Sequence, residues 1–340
     1  MAAAAPHSRP LGVILTAGKG TRLQPLTPRL SKAAIPLLNR PLIAYALDAV
    51  AALGIEEVAV VVGPDDRATA RRAREHARGP LSIHVQKRPN GPGDAVASVG
   101  DLLSGRDVVV LVVDAVFTGL DPRPLEAFMA SSADASLVLA PVPDPRSFGV
   151  AVLEGDRIVD LEEKPAAPRS NMAVVGIWML APAAVERVRT NPFINAKGES
   201  DLTATVGQML REGAEVGGWL LEGEWLDAGT LPGLLHAQGR LLKDLAPTPV
   251  TARESDITGP VAAGQGCVVT MSHLAGPVML GCDTRLDACD IADSVVGDGA
   301  VLQGVRLRRS LVMGGAQMQG GDYEDVVITA GGEVAGPGAL

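Results

Sequence analysis

LGVILTAGKGTRLQPLTPRLSKAAIPLLNRPL, residues 11–42, decides how the rest of the chain is read. The apolar run from Leu11 to Leu15 predicts a short buried strand. It stops at Thr16-Ala17-Gly18-Lys19-Gly20-Thr21-Arg22, where small residues let the backbone approach a ligand closely. Successive backbone N–H groups in such a turn form a concave nest for phosphate oxygens, and Lys19, Arg22 and Lys32 add positive charge within one short segment. A polyphosphate is the natural guest. Two commoner glycine motifs fail here. The dinucleotide fingerprint needs a third glycine where Leu23 stands, and Pro25 and Pro28 break the helix that should follow. A Walker loop needs Ser or Thr after its lysine, and Lys19 is followed by Gly20.

Composition narrows the classes. With 340 residues, 47% of them hydrophobic, the chain can bury a large core and has length for two domains. No run of about 18 apolar residues occurs, so no membrane-spanning helix is expected. The opening MAAAAPHSRP has neither a basic start nor a long apolar stretch, which predicts a frayed terminus and a cytoplasmic protein. A net charge of −9 argues against general nucleic-acid binding, so a phosphorylated guest must meet local cations. Cys267, Cys282 and Cys289 lack ligand-type spacing and read as reduced apolar fillers. The five histidines stand singly and suggest neither a zinc site nor a partner for a nucleophile.

From Pro41 to Leu53 small and apolar residues recur at helical spacing, and Val58 to Val62 reads as a buried strand. With the opening strand these make a βαβ unit and predict a parallel sheet. The arginines from Arg67 to Arg78 interleave with Asp65, Asp66 and Glu75, the pattern of a solvated helix face. LSIHVQKRPNGPGDAV is strand-like up to Gln86, turns through Pro89 to Gly93, and enters another helix. The run Val108 to Val113 ends in Asp114. A carboxylate at a strand's carboxyl end suits a metal, and the same residue type also serves as an ordinary turn former. Leu137 to Ala140 is a further strand, and a hairpin is expected around Gly155-Asp156.

Lys243 to Ser255 is polar, proline-bearing and aperiodic, and reads as a linker. It separates a domain of residues 1–245 from one of residues 255–340. Beyond it Val261-Ala262-Ala263-Gly264, Val278-Met279-Leu280-Gly281, Ser294-Val295-Val296-Gly297 and Leu311-Val312-Met313-Gly314 repeat one theme at near-constant spacing. That repeat fits a degenerate hexapeptide-type, left-handed parallel β-helix, with a loose β-sandwich as the rival. Exposed coil ends favour assembly into a homo-oligomer.

These segments together resemble the sugar-1-phosphate nucleotidylyltransferases, whose pattern is G-x-G-T-R-L-x-P-L-T followed by P-K and P-L. Gly18 to Thr27, Lys32 and Pro36-Leu37 match it, with Ser31 in place of the proline before the lysine. Phe148-Gly149-Val150 followed by Glu162-Glu163-Lys164-Pro165 resembles the second signature, and Trp225-Leu226-Asp227-Ala228-Gly229-Thr230 the third. The likeness covers residues 11 to 240, continues more weakly through the repeats, and is greatest to the long-form glucose-1-phosphate thymidylyltransferases. The resemblance implies an α/β, Rossmann-like sheet, mixed but mainly parallel, followed by the β-helix.

The resemblance also implies transfer of a nucleotidyl group from a nucleoside triphosphate to a sugar 1-phosphate. Arg22, Lys32 and Lys164 are then the catalytic cations. Leu15, Ala17, Gly18, Gly20, Thr21, Gln86 and Gly91 hold the nucleotide; Gly149, Glu163, Lys164 and Val174 hold the sugar phosphate; Asp114 and Asp227 hold Mg²⁺. Phosphoryl chemistry of this kind depends on positioning and charge neutralisation more than on a protein nucleophile.

Several positions depart from the family pattern. Val113 replaces a glycine before the metal aspartate, Asp201 and Ala204 replace a Glu and an Asp, and Ala33-Ala34 follow Lys32 where Gln is usual. Uridylyl or guanylyl transfer, onto another sugar or a cyclitol phosphate, therefore stands beside thymidylyl transfer. A regulatory subunit that binds a nucleotide sugar without turnover is a second class. An acyltransferase domain in the repeats is a third, opposed by the short stretch there and its single histidine, His273.

Overall fold

The computed structural model describes residues 9–18, 20–24, 31–245 and 250–336. Lys19, the Pro25-Leu26-Thr27 part of the opening motif and residues 1–8 of the start expected to fray lie outside them. The chain divides into two compact units, one of residues 1–18 and 43–225, the other of residues 19–42 and 226–340.

The first unit is built on a nine-stranded sheet. Its strands are β1 (Leu11–Leu15), β2 (Glu57–Val62), β3 (Leu81–Val85), β4 (Val108–Val112), β5 (Ala135–Pro141), β6 (Gly149–Glu154), β7 (Arg157–Glu163), β8 (Met172–Leu180) and β9 (Val216–Leu220). The order across the sheet is β3-β2-β1-β4-β8-β5-β9-β7-β6. Every residue of β1 is buried, as a strand covered on both faces requires. Helix α1 (Leu42–Ala52) supplies part of that cover: a Cβ on Gly12 would sit 2.9 Å from Val50 Cγ1.

Strands β1 to β4 pair in parallel, as the βαβ reading predicts. The second half is chiefly antiparallel: β8 runs against both β4 and β5, and β7 against both β9 and β6. The expectation of a mainly parallel sheet therefore holds for the first half only. The physical reason is connection length, because the tight Gly155-Asp156 turn between β6 and β7 can join only antiparallel neighbours.

In the second unit, successive coils each give one strand to each of three parallel sheets, as in a parallel β-helix. One sheet carries the aliphatic repeat: Val261–Ala263, Val278–Leu280, Val295–Val296, Leu311–Val312 and Val327–Ile328. The glycines that end the first three repeats lie where the next coil passes, and a Cβ on Gly281 would be 2.3 Å from Asp298 N. Buried serines satisfy inner corners; Ser294 Oγ accepts from Ser310 N, and Ser310 Oγ from Val326 N, both at 3.1 Å. Cys267 and Cys289 are buried and unbridged, as fillers should be. The first coil already begins at Thr251–Arg253, inside the span read as linker, because that end strand is exposed and shows no alternation. Helix α2 (Leu231–Leu242) packs on the coil, with Gly239 against Pro277.

Candidate functional site

The carboxyl edge of the parallel half gathers most of the residues expected to meet the nucleotide. Beyond β1, Thr16 N donates to Val61 O at 2.9 Å, and Val113 N donates to Leu15 O at 3.3 Å. Gln86 N follows with a 2.9 Å bond to Val62 O. Leu15, Ala17, Gly18, Gln86 and the buried Asp114 are thereby set where β1, β3 and β4 end, the edge at which α/β sheets collect ligands.

Gln86 is 4% exposed, and its position is tightly defined. Its Nε2 donates to Gly91 O at 3.0 Å and to Asp94 Oδ2 at 2.8 Å. Gly91 has φ +96, and a Cβ there would stand 2.4 Å from Ser200 O, so the turn requires glycine on both counts. A Cβ on Gly93 would stand 2.1 Å from Ser200 Oγ. The turn is thus pressed against the start of the helix Leu202–Arg211, whose N-cap Asp201 accepts from Ala204 N at 2.8 Å.

Gly149, Glu163, Lys164 and Val174 come together in the structure. A Cβ on Gly149 would meet Thr203 Cγ2 at 2.7 Å, and Glu163 Oε2 and Val174 Cγ2 at 3.2 Å each. Val174 reaches this place because β8 shifts register between Val174 and Trp178, around Gly176 at φ +88. Lys164 Nζ donates to Glu163 Oε1 at 2.6 Å, and Lys164 N to Phe148 O at 2.9 Å. The lysine itself has φ +48, an uncommon conformation for a long side chain. Phe148 in turn meets Trp225 edge to face, with ring centroids 5.1 Å apart. On the sequence expectation that Gly149 faces a sugar phosphate, Gly149→Ala raises the KM for that substrate roughly tenfold with nucleotide affinity unchanged. Steady-state kinetics with each substrate varied in turn checks it.

Burial pushes the Glu163 carboxyl above its usual value, and Asp201 pushes the same way, while Lys164 and Thr203 oppose them. The stability linked to such a raised group is full below the ordinary glutamate value and is lost as pH rises through the raised one. For binding, the ionised acceptor is lost on acidification earlier than an exposed glutamate would lose it. The sugar-phosphate KM is therefore expected to climb on the acid side, beginning above the ordinary glutamate range. Glu163→Gln should flatten that limb in a pH–KM profile.

The remaining expected residues belong to the second unit. Gly20, at φ +60, precedes a single 3-10 turn of Thr21–Leu23, in which Leu23 is buried and Arg22 exposed. Lys32 opens a second such turn, anchored by buried Ala33. Asp227 Oδ1 accepts from Gly229 N at 2.8 Å. Among the described residues no three His, Cys, Asp or Glu side chains cluster.

Sequence reasoning missed Asp94, Thr203 and Ser200. Asp94 looks like an ordinary acidic residue in the first turn of a helix, and Thr203 meets Glu163 only through the fold.

The chain matches the family described as Nucleotidyl transferase over residues 11–244. It is 31% identical over 320 residues to a glucose-1-phosphate thymidylyltransferase of Streptomyces griseus, covering 91% of this chain and 88% of that one. A mannose-1-phosphate guanylyltransferase of Mycobacterium tuberculosis is 28% identical over 303 residues, covering 86% and 82%. A Bacillus anthracis crystal structure described as a candidate glucose-1-phosphate thymidylyltransferase, in complex with a sucrose, superposes with a TM-score of 0.63 at 26% identity, covering 71% of this chain and 98% of that one. With the motif of residues 18–37 and the arrangement around Gly149, these likenesses make the chain a member of the nucleotidyl transferase family, among its sugar-1-phosphate nucleotidylyltransferases.

Proposed function

We propose that this enzyme transfers a thymidylyl group from dTTP to glucose 1-phosphate, giving dTDP-glucose and pyrophosphate. The observation that carries the reading is the cluster at Gly149, where the side chains of Thr203, Glu163 and Val174 stand 2.7 to 3.2 Å from the place of a Cβ and the exposed Lys164 pairs with Glu163. A carboxylate, a hydroxyl and a cation gathered at one point suit a hydroxyl-bearing ring whose phosphate needs one cation. Relatives bearing the thymidylyltransferase name supply the sugar and base.

In the proposed reaction an oxygen of the sugar phosphate attacks the α-phosphorus. The new P–O bond forms there, and the bond to the β-phosphate breaks with its electron pair leaving on pyrophosphate. Lys164 holds the attacking phosphate, Lys32 neutralises charge at the reacting centre, and Arg22 receives the departing pyrophosphate. The backbone N–H groups of the glycine turn cradle the triphosphate. Asp114 and Asp227 are the residues that would hold Mg²⁺, which supplies further charge neutralisation when bound. Gln86 meets the base.

Uridylyl or guanylyl transfer is the reading kept beside it, because uracil and guanine carry a ring N–H as thymine does, and a relative is named a guanylyltransferase. Pyrophosphate release across dTTP, UTP, GTP, CTP and ATP, each with glucose 1-phosphate and mannose 1-phosphate, tests the assignment. The greatest kcat/KM for dTTP with glucose 1-phosphate supports it, and a best pair elsewhere in the matrix replaces it.

A further inference from the structure

We infer that Asp94 is a positioning residue that fixes which end of the Gln86 amide meets the base, and so selects bases carrying a ring N–H. The inference rests on the reading of Gln86 as the base contact.

A glutamine amide presents one acceptor oxygen and two N–H donors, and turning it by a half-rotation exchanges the two ends. In a pocket with no preference between them, it matches a thymine N3–H through its oxygen or a cytosine N3 through its nitrogen. Here both donors of Nε2 are engaged, one by Gly91 O at 3.0 Å and one by Asp94 Oδ2 at 2.8 Å. A carboxylate oxygen and a backbone carbonyl oxygen only accept, so neither tolerates Oε1 in that place. The amide is held with its oxygen as the end that remains for a ligand. Burial of Gln86 to 4% exposure keeps water from substituting for either partner.

A ring N–H, as in thymine, uracil and the lactam edge of guanine, donates to that oxygen. Cytosine N3 and adenine N1 bring lone pairs to the same point and are repelled. Asp94 sits in the first turn of a short helix, Pro92–Ala97, and does not itself need to touch the base. Its effect passes through the orientation of Gln86.

The test is equilibrium binding of dTTP and of CTP to the full-length chain, with no sugar phosphate present, so that the result does not depend on turnover. The unaltered chain is expected to bind dTTP at least tenfold more tightly than CTP, on the order of one well-placed hydrogen bond against one repulsive contact. Asp94→Ala frees one donor of Nε2 and leaves Gly91 O as the one acceptor opposing a turn of the amide, so the ratio should shrink by roughly threefold. Asp94→Asn, of nearly the same size, offers Gln86 a donor or an acceptor and should shrink it too. A merely structural role in the helix start would weaken both nucleotides alike and leave the ratio in place. An unchanged ratio in both folded variants, with melting temperature as the check on folding, overturns the inference. So does an unaltered chain that shows no preference. Gln86→Ala separates the two levels of the reading: if it abolishes the preference while the Asp94 variants do not, Gln86 remains the base contact and Asp94 has no part in orienting it. Failure of the transferase reading has a different signature, the absence of pyrophosphate release from the unaltered chain with any pair of substrates.

Discussion

Asp114→Asn lowers kcat by roughly 10²- to 10³-fold while the folded state persists, because the change removes a charge and leaves the shape. Asp114 is 9% exposed at the carboxyl end of β4, directly after Val113, whose N–H bonds to Leu15 O. Asp227→Asn should reduce kcat comparably, since both carboxylates are assigned to one ion. The double variant should lose little more than either single one, the non-additivity expected of groups acting as a unit. Rates of pyrophosphate release against Mg²⁺ concentration, paired with thermal melts, check all three. Full activity in both single variants removes the metal assignment.

Arg22→Ala is the second large effect. Arg22 stands exposed on a short 3-10 turn whose entry needs the left-handed conformation of Gly20, so truncating it leaves the packing of Leu23 untouched. Removal of a cation assigned to the departing pyrophosphate is expected to lower kcat about 10²-fold, with a smaller change in KM for the sugar phosphate. Added pyrophosphate should also inhibit the variant more weakly, as its product site has lost a charge. Arg22→Lys should recover part of kcat only, since an ammonium group lacks the planar fork that grips phosphate oxygens.

Much of this was legible in the sequence because the signals are local. The buried strand of residues 11–15, the glycine turn after it, the carboxylate closing the β4 run and the aliphatic-x-x-Gly repeat each sit within a few consecutive residues. Backbone sterics or strand periodicity fixes their meaning. The repeat was readable for a further reason: its glycines answer to a neighbouring coil's backbone, so position and residue type recur together.

What escaped is long-range. Nothing near Thr203 in the chain says that its methyl will stand 2.7 Å from where a Cβ on Gly149 would be. Nothing near Asp94 says that Gln86, eight residues earlier, returns to meet it. The antiparallel half of the sheet was also hidden, because buried strands read as apolar runs whichever way their neighbours point. The start of the coil at Thr251 was masked by exposure, since an end strand has no inner face to advertise.

In the proposed reaction the chain joins two phosphorylated molecules by exchanging the bond at the α-phosphorus. Incubation of the full chain and Mg²⁺ with glucose 1-phosphate and dTTP labelled with ³²P at the α position tests it most directly. Label is expected to move into a product that also carries the sugar, with one unlabelled pyrophosphate released for each product formed. Label remaining in dTTP, or appearing only in free dTMP or dTDP, would contradict it.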